Sequence, residues 1–146
     1  MVKQLRMLLS EKISINIYST NDVFCPPSSL PAVYVINTDY RERSGEHYVT
    51  FYLEEGPSVT YFDSYGLPPW TCLKQFWTRL GAKSVSYSTR CLQSPLSNVC
   101  ACYCIAFLYS KSNGVTLKEF VEAFTTDLDI NDEAVVGFLT RLLSSV

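Results

Sequence analysis

At 146 residues, 47% apolar and 14% aromatic, the chain can close one hydrophobic core and is not a disordered linker. A formal charge of −2 argues against a strong non-specific nucleic-acid binder, which would cluster Lys and Arg. With no repeat or low-complexity stretch, a single domain over residues 1–146 is expected.

In chain order, Val2, Leu5, Leu8 and Leu9 fall at helical spacing and predict a helix from Val2 to about Glu11. A loop follows, broken by Pro26, Pro27 and Pro31. Ala32 to Asn37 is apolar on both faces, as a central strand is. His47 to Leu53 and Val59 to Phe62 are rich in β-branched and aromatic residues, and Glu54-Glu55-Gly56-Pro57 joins them as an antiparallel hairpin. Pro68 and Pro69 suit the first turn of a helix that runs to about Leu80 and stops at Gly81. Lys83 to Tyr87 alternates as a strand does. Cys100 to Tyr109 reads as a buried helix capped by Ser97 or Asn98, because its residues are only neutral helix formers. Thr116 caps a helix from Leu117 to Phe124, and Asn131 or Asp132 starts a last one ending near Leu143. The fold class is α+β, a small sheet flanked by helices.

The longest apolar run, Val99 to Tyr109, is about half the roughly 20 residues of a membrane span. Charges at Lys3, Arg6, Glu11 and Lys12 interrupt any signal-peptide core, so a soluble, non-secreted protein with reduced thiols is expected. Cys100, Cys102 and Cys104 raise the question of zinc. Helical residues two apart point to nearly opposite sides, and the chain has one histidine and no C-x-x-C pair, so no metal is expected.

Four positions carry potential chemistry. His47 opens a strand behind the charged loop Tyr40 to Glu46, where a side chain is both fixed and accessible. Asp63 ends the partner strand of the hairpin, which puts it at the same end of the sheet. There it can accept the Nδ1 proton of His47 and fix the tautomer, although Asp is also an ordinary turn residue. Cys100 begins a helix, whose unpaired N–H groups and dipole favour a thiolate; buried cysteines are otherwise inert packing. Gln93 lies in the loop before that helix, where its amide can face a developing oxyanion, but spacing alone does not separate it from a solvent-facing glutamine.

The stretches Val35-Ile36-Asn37-Thr38-Asp39, Gly45-Glu46-His47-Tyr48 and Phe62-Asp63-Ser64-Tyr65-Gly66 resemble the adenovirus maturation protease. So does the segment from Gln93 through Ser97-Asn98-Val99-Cys100 to Cys104, and the similarity covers roughly Pro31 to Tyr109. Related enzymes occur in adenovirus-like viruses and virus-like DNA transposons, in a clan with the proteases of ubiquitin-like modifiers. The resemblance implies a papain-like cysteine protease core with the chain order His, acid, Gln, Cys. It implies His47 as general base, Asp63 as its orienting acid, Cys100 as nucleophile and Gln93 in the oxyanion hole. Ala101 stands where the family usually has Gly, Tyr48 where Trp is common, and Asp63 where human adenovirus enzymes have Glu.

The activity implied is cleavage of capsid or core precursor proteins after a small residue such as Gly. The setting implied is the host nucleus or cytoplasm, or the virion. The family's activating peptide and DNA do not carry over: no cysteine matches the peptide-linking position, and the acidic charge gives DNA no support. No cofactor is therefore expected. The rivals are an isopeptidase of ubiquitin or SUMO, an effector acetyltransferase, for which the chain lacks a basic pocket, and a protease-fold scaffold, which Ala101 favours.

Overall fold

The computed structural model describes residues 1–19, 25–39, 46–54, 56, 58–69, 73, 76 and 78–146. Five strands form one sheet in sequence order: β1 (Ser14–Ser19), β2 (Ala32–Asp39), β3 (Glu46–Leu53), β4 (Ser58–Phe62) and β5 (Ser84–Ser86). The pairs β2–β3 and β3–β4 are antiparallel, as the hairpin reading requires, whereas β1 and β5 add at the edges in parallel. The sequence reading took residues 14–19 for loop. They are only partly buried, and long-range pairing of Ser14–Ser19 with Ala32–Asn37 makes them a strand, helped by Asn16 donating to Val33 O at 3.3 Å.

The helices are α1 (Val2–Leu8), α2 (Cys100–Ser112), α3 (Leu117–Glu122) and α4 (Leu128–Ser144). The helix expected from Pro68 falls largely outside the described residues; Leu73, Phe76, Thr78 and Arg79 are helical. Thr116 caps α3 in a reciprocal box with Glu119. The last helix starts earlier than Asn131: Asp127 caps it by accepting from Asp129 N and Ile130 N. Asn131 is turned inward instead, donating to Leu92 O and Thr125 O.

Strand alternation splits the core into two layers. Val33, Val35, Tyr52 and Phe62 pack against α2 through Tyr103, Phe107 and Leu108, with α1, α3 and α4 closing that side. Tyr34, Ile36, Val49, Phe51 and Tyr61 face the other way, onto Leu73 and Phe76. Helix α2 has weak intrinsic propensity, and its burial holds it in place. Each fully buried Phe or Leu contributes about 1.5–3 kcal/mol, and Phe107 and Leu108 are completely enclosed.

Candidate active site

The site forms where the β3–β4 ladder stops. β2 stays paired with β3 beyond His47, but the β4 ladder ends at Thr50↔Phe62. His47 belongs by alternation to the Val49–Phe51 face, away from α2. Its imidazole nonetheless meets Cys100 at the start of α2, past the last β4 pairing. The loop expected ahead of His47, residues 40–45, lies outside the described residues.

Beyond Phe62 the chain turns, with Gly66 N donating to Asp63 O at 2.9 Å. Gly66 has φ +70°, and a Cβ there would lie 2.5 Å from the Arg90 carbonyl carbon, so only glycine lets the turn approach this segment. Leu92 N and Gln93 N then donate to Ser64 O at 2.8 and 3.1 Å, tying the turn to the approach of α2. Arg90 fixes the same segment from the other side by donating to Val121 O, Phe124 O and Thr125 O around the end of α3.

Within this frame His47 and Asp63 meet at 3.0 Å, both buried. The contact uses His47 Nε2, where the sequence reading placed Nδ1. With Nε2 engaged by Asp63, Nδ1 is the ring nitrogen left for the hydrogen bond between His47 and Cys100. Asp63 Oδ1 also accepts from Tyr65 N at 2.8 Å, and the Tyr65 ring tilts over the imidazole with centroids 4.9 Å apart. Carboxylate and ring are both held in place.

Cys100 is the first residue of α2. Neither Ser97 nor Asn98 caps the helix. Val99 occupies the cap position with no side-chain bond, so the N–H groups there are not taken by a cap. Burial works against a Cys100 thiolate, yet hydrogen bonds from His47 and from the Tyr48 and Ala101 backbone bring the thiol below its ordinary value. Burial likewise disfavours the imidazolium, but hydrogen bonds to Asp63 and Cys100 and their charges push His47 up to about 9. Cys91 and Cys102 are raised, chiefly by burial, and Cys104 lies well above the usual thiol range. Of these four thiols, Cys100 alone is poised to ionise.

Gln93 is fully buried, not the solvent-facing residue that spacing alone allowed. Its Nε2 lies 3.2 Å from Ser97 O and 3.1 Å from Ser97 Oγ, and its Oε1 lies 2.6 Å from Ser64 Oγ. The structure thus links His47, Asp63 and Cys100 in one hydrogen-bonded chain. It turns the Gln93 amide toward the loop that leads into the cysteine.

Sequence reasoning missed Ser64 and Asp132. Asp132 accepts from Ser94 N at 3.3 Å and from Tyr103 Oη at 2.9 Å, pinning the same loop to α4. No local pattern couples position 64 to 93 or 132 to 94; only the fold does. No group of three or more metal-ligating side chains occurs among the described residues. No helix among them is long and apolar enough to cross a membrane.

No protein-family model matches the sequence, and no curated protein does. Among solved structures, one of the ASFV pS273R protease superposes with a TM-score of 0.61 at 16% identity, over 85% of this chain and 59% of the protease. A selenomethionine structure of that protease gives 0.58 at 19%, over 75% and 44%. The chain therefore spans about half the length of that protease. The central domain of the uncharacterized Lpg1148 protein from Legionella pneumophila gives 0.51 at 12%, covering 96% of both chains. The fold is the α+β, papain-like cysteine protease type that the sequence leads one to expect.

Proposed function

We propose that this protein is a cysteine peptidase acting through an acyl-enzyme on Cys100. The observation that carries the reading is the Cys100–His47–Asp63 chain, in which a buried thiol is lowered while the neighbouring thiols are raised. The Cys100 thiolate attacks the scissile carbonyl carbon and forms a C–S bond, while the carbonyl electron pair moves to oxygen. When the oxyanion collapses, the C–N bond breaks and the His47 imidazolium gives its proton to the leaving amine. His47 then takes a proton from water, and the hydroxide attacks the thioester. The acid product leaves and the thiolate is restored. Asp63 fixes the ring and favours its protonated form. The adenovirus-protease resemblance supports capsid or core precursor proteins of a virus or virus-like element as the substrates.

Limiting iodoacetamide at pH 5 to 9, mapped by mass spectrometry, tests the nucleophile. Near pH 6.5, Cys100 should alkylate at least about tenfold faster than Cys91 or Cys102, since a thiol of ordinary pKa is then about 1% ionised. Equal rates would defeat the reading and leave a protease-fold scaffold. Capture of Cys100 by a ubiquitin or SUMO C-terminal warhead would redirect it to an isopeptidase.

A further inference from the structure

The residue after the candidate acid makes a contact that the mechanism above does not use. Ser64 is fully buried, and its Oγ lies 2.6 Å from Gln93 Oε1. The direction of that bond follows from the opposite end of the amide. Ser97 O is a carbonyl and can only accept, so the group facing it at 3.2 Å must be the Gln93 NH2. Ser97 Oγ already donates to Ser94 O at 3.1 Å, so toward Gln93 it accepts as well. Oε1 must therefore face Ser64, and the Ser64 hydroxyl must donate. A flipped amide would set two acceptors against each other at Ser97 and its NH2 against the Ser64 hydroxyl.

We propose that Ser64 is the positioning residue of the Gln93 carboxamide, its hydroxyl holding Oε1 so that the NH2 stays turned toward Ser97 in the loop that leads to Cys100. Ser64 does this twice over, because its backbone carbonyl also takes Gln93 N at 3.1 Å. Asp63 and Ser64 thus couple two halves of one site: the first orients the ring that holds the thiol, the second the amide beside the loop leading to it. The proposal rests on the peptidase reading. It deepens that reading by adding a residue that acts on the oxyanion only through Gln93.

The test separates chemistry that builds an oxyanion from chemistry that does not. With p-nitrophenyl acetate, the Cys100 thiolate adds to the ester carbonyl, the oxygen carries the charge, and collapse expels p-nitrophenolate to leave an acetyl thioester. Iodoacetamide reacts with the same thiolate by displacing iodide and forms no oxyanion. Ser64→Ala keeps the backbone carbonyl and removes only the hydroxyl. It should slow the acylation burst by about 10- to 100-fold, in the range of a displaced oxyanion donor, while alkylation of Cys100 changes by less than about threefold.

Gln93→Ala should slow the burst as much or more, and Ser64→Ala added to it should cause no further loss, as expected of residues acting in series. Ser64→Cys, with a weaker donor of similar volume, should fall between and serves if the alanine variant does not fold. A wild-type burst that both Ser64 variants leave intact, or an additive loss in the double variant, overturns the proposal alone. Absence of any wild-type burst at Cys100 overturns the peptidase reading and this proposal with it.

Discussion

Of the three thiols in the first two turns of α2, Cys100 and Cys104 have opposite fates. Cys100 and Cys104 are both buried, lie four residues apart on one helix, and both bond the backbone of Tyr48. Cys104 donates to Tyr48 O at 3.3 Å and is pushed well above the ordinary thiol range by burial and by nearby negative groups, Cys100 first among them. Cys100, also buried though less completely, is lowered because His47 and two backbone N–H groups answer its charge. Burial alone makes a thiol inert. A preorganised cation and the uncapped end of a helix reverse the sign.

The sharpest way to break this contrast is His47→Ala. At pH 6 it should cut Cys100 alkylation by about 10²-fold, toward the thiolate fraction of an ordinary cysteine, with Cys104 unreactive before and after. Stability should follow the same group. His47 is raised from 6.5 to about 9, so its contribution is complete below 6.5 and is lost as pH rises through about 9. Cys100 is lowered, so its contribution is present above the ordinary thiol value and is lost as pH falls through the folded one. The stability advantage of wild type over His47→Ala in urea unfolding should therefore shrink as pH rises through about 9, on top of a pH-independent part from the lost buried ring. A gap that does not change between pH 7 and pH 10 would contradict the assignment.

Next in size is Gly66→Ala, which puts a side chain at φ +70° and into the Arg90 backbone. A loss of about 2–4 kcal/mol in urea unfolding is expected. Because the same turn carries Asp63 and Ser64, the alkylation advantage of Cys100 should shrink too. Cys104→Ala should have the smallest effect. Removing a buried sulfur costs about 1–2 kcal/mol, and Cys100 alkylation should stay within about threefold. A larger change would mean that Cys104, through Tyr48, helps to set the reactive thiol.

Much of this was legible along the chain because it is local. Ala32–Asn37 is apolar on both faces, the hairpin turn lies between two β-branched runs, and Thr116 with Glu119 forms a cap within four residues of sequence. His47 and Asp63 could also be brought together, since a hairpin puts its first and last residues at one end, whereas the full order His47, Asp63, Gln93, Cys100 rested on the resemblance to the adenovirus protease. Other features depended on partners far away in sequence. Ser14–Ser19 becomes a strand only beside β2, and Asp127 displaces Asn131 as a cap because Asn131 is drawn inward to Leu92. The use of Nε2 rather than Nδ1 depends on how the His47 ring sits between Asp63 and Cys100, 16 and 53 positions away.

The sequence by itself determined most of the elements and the core-facing periodicity, since these follow from spacing and short-range bonding, and it offered His47, Asp63 and Cys100 as candidates, with Gln93 resting on the family resemblance. Only the tertiary structure decided which thiol is lowered, which imidazole nitrogen meets the acid, and which way the Gln93 amide turns. Those outcomes are set by charges and hydrogen bonds between residues 16 to 53 positions apart, His47 with Asp63, Ser64 with Gln93 and Cys100 with His47, which no local pattern encodes.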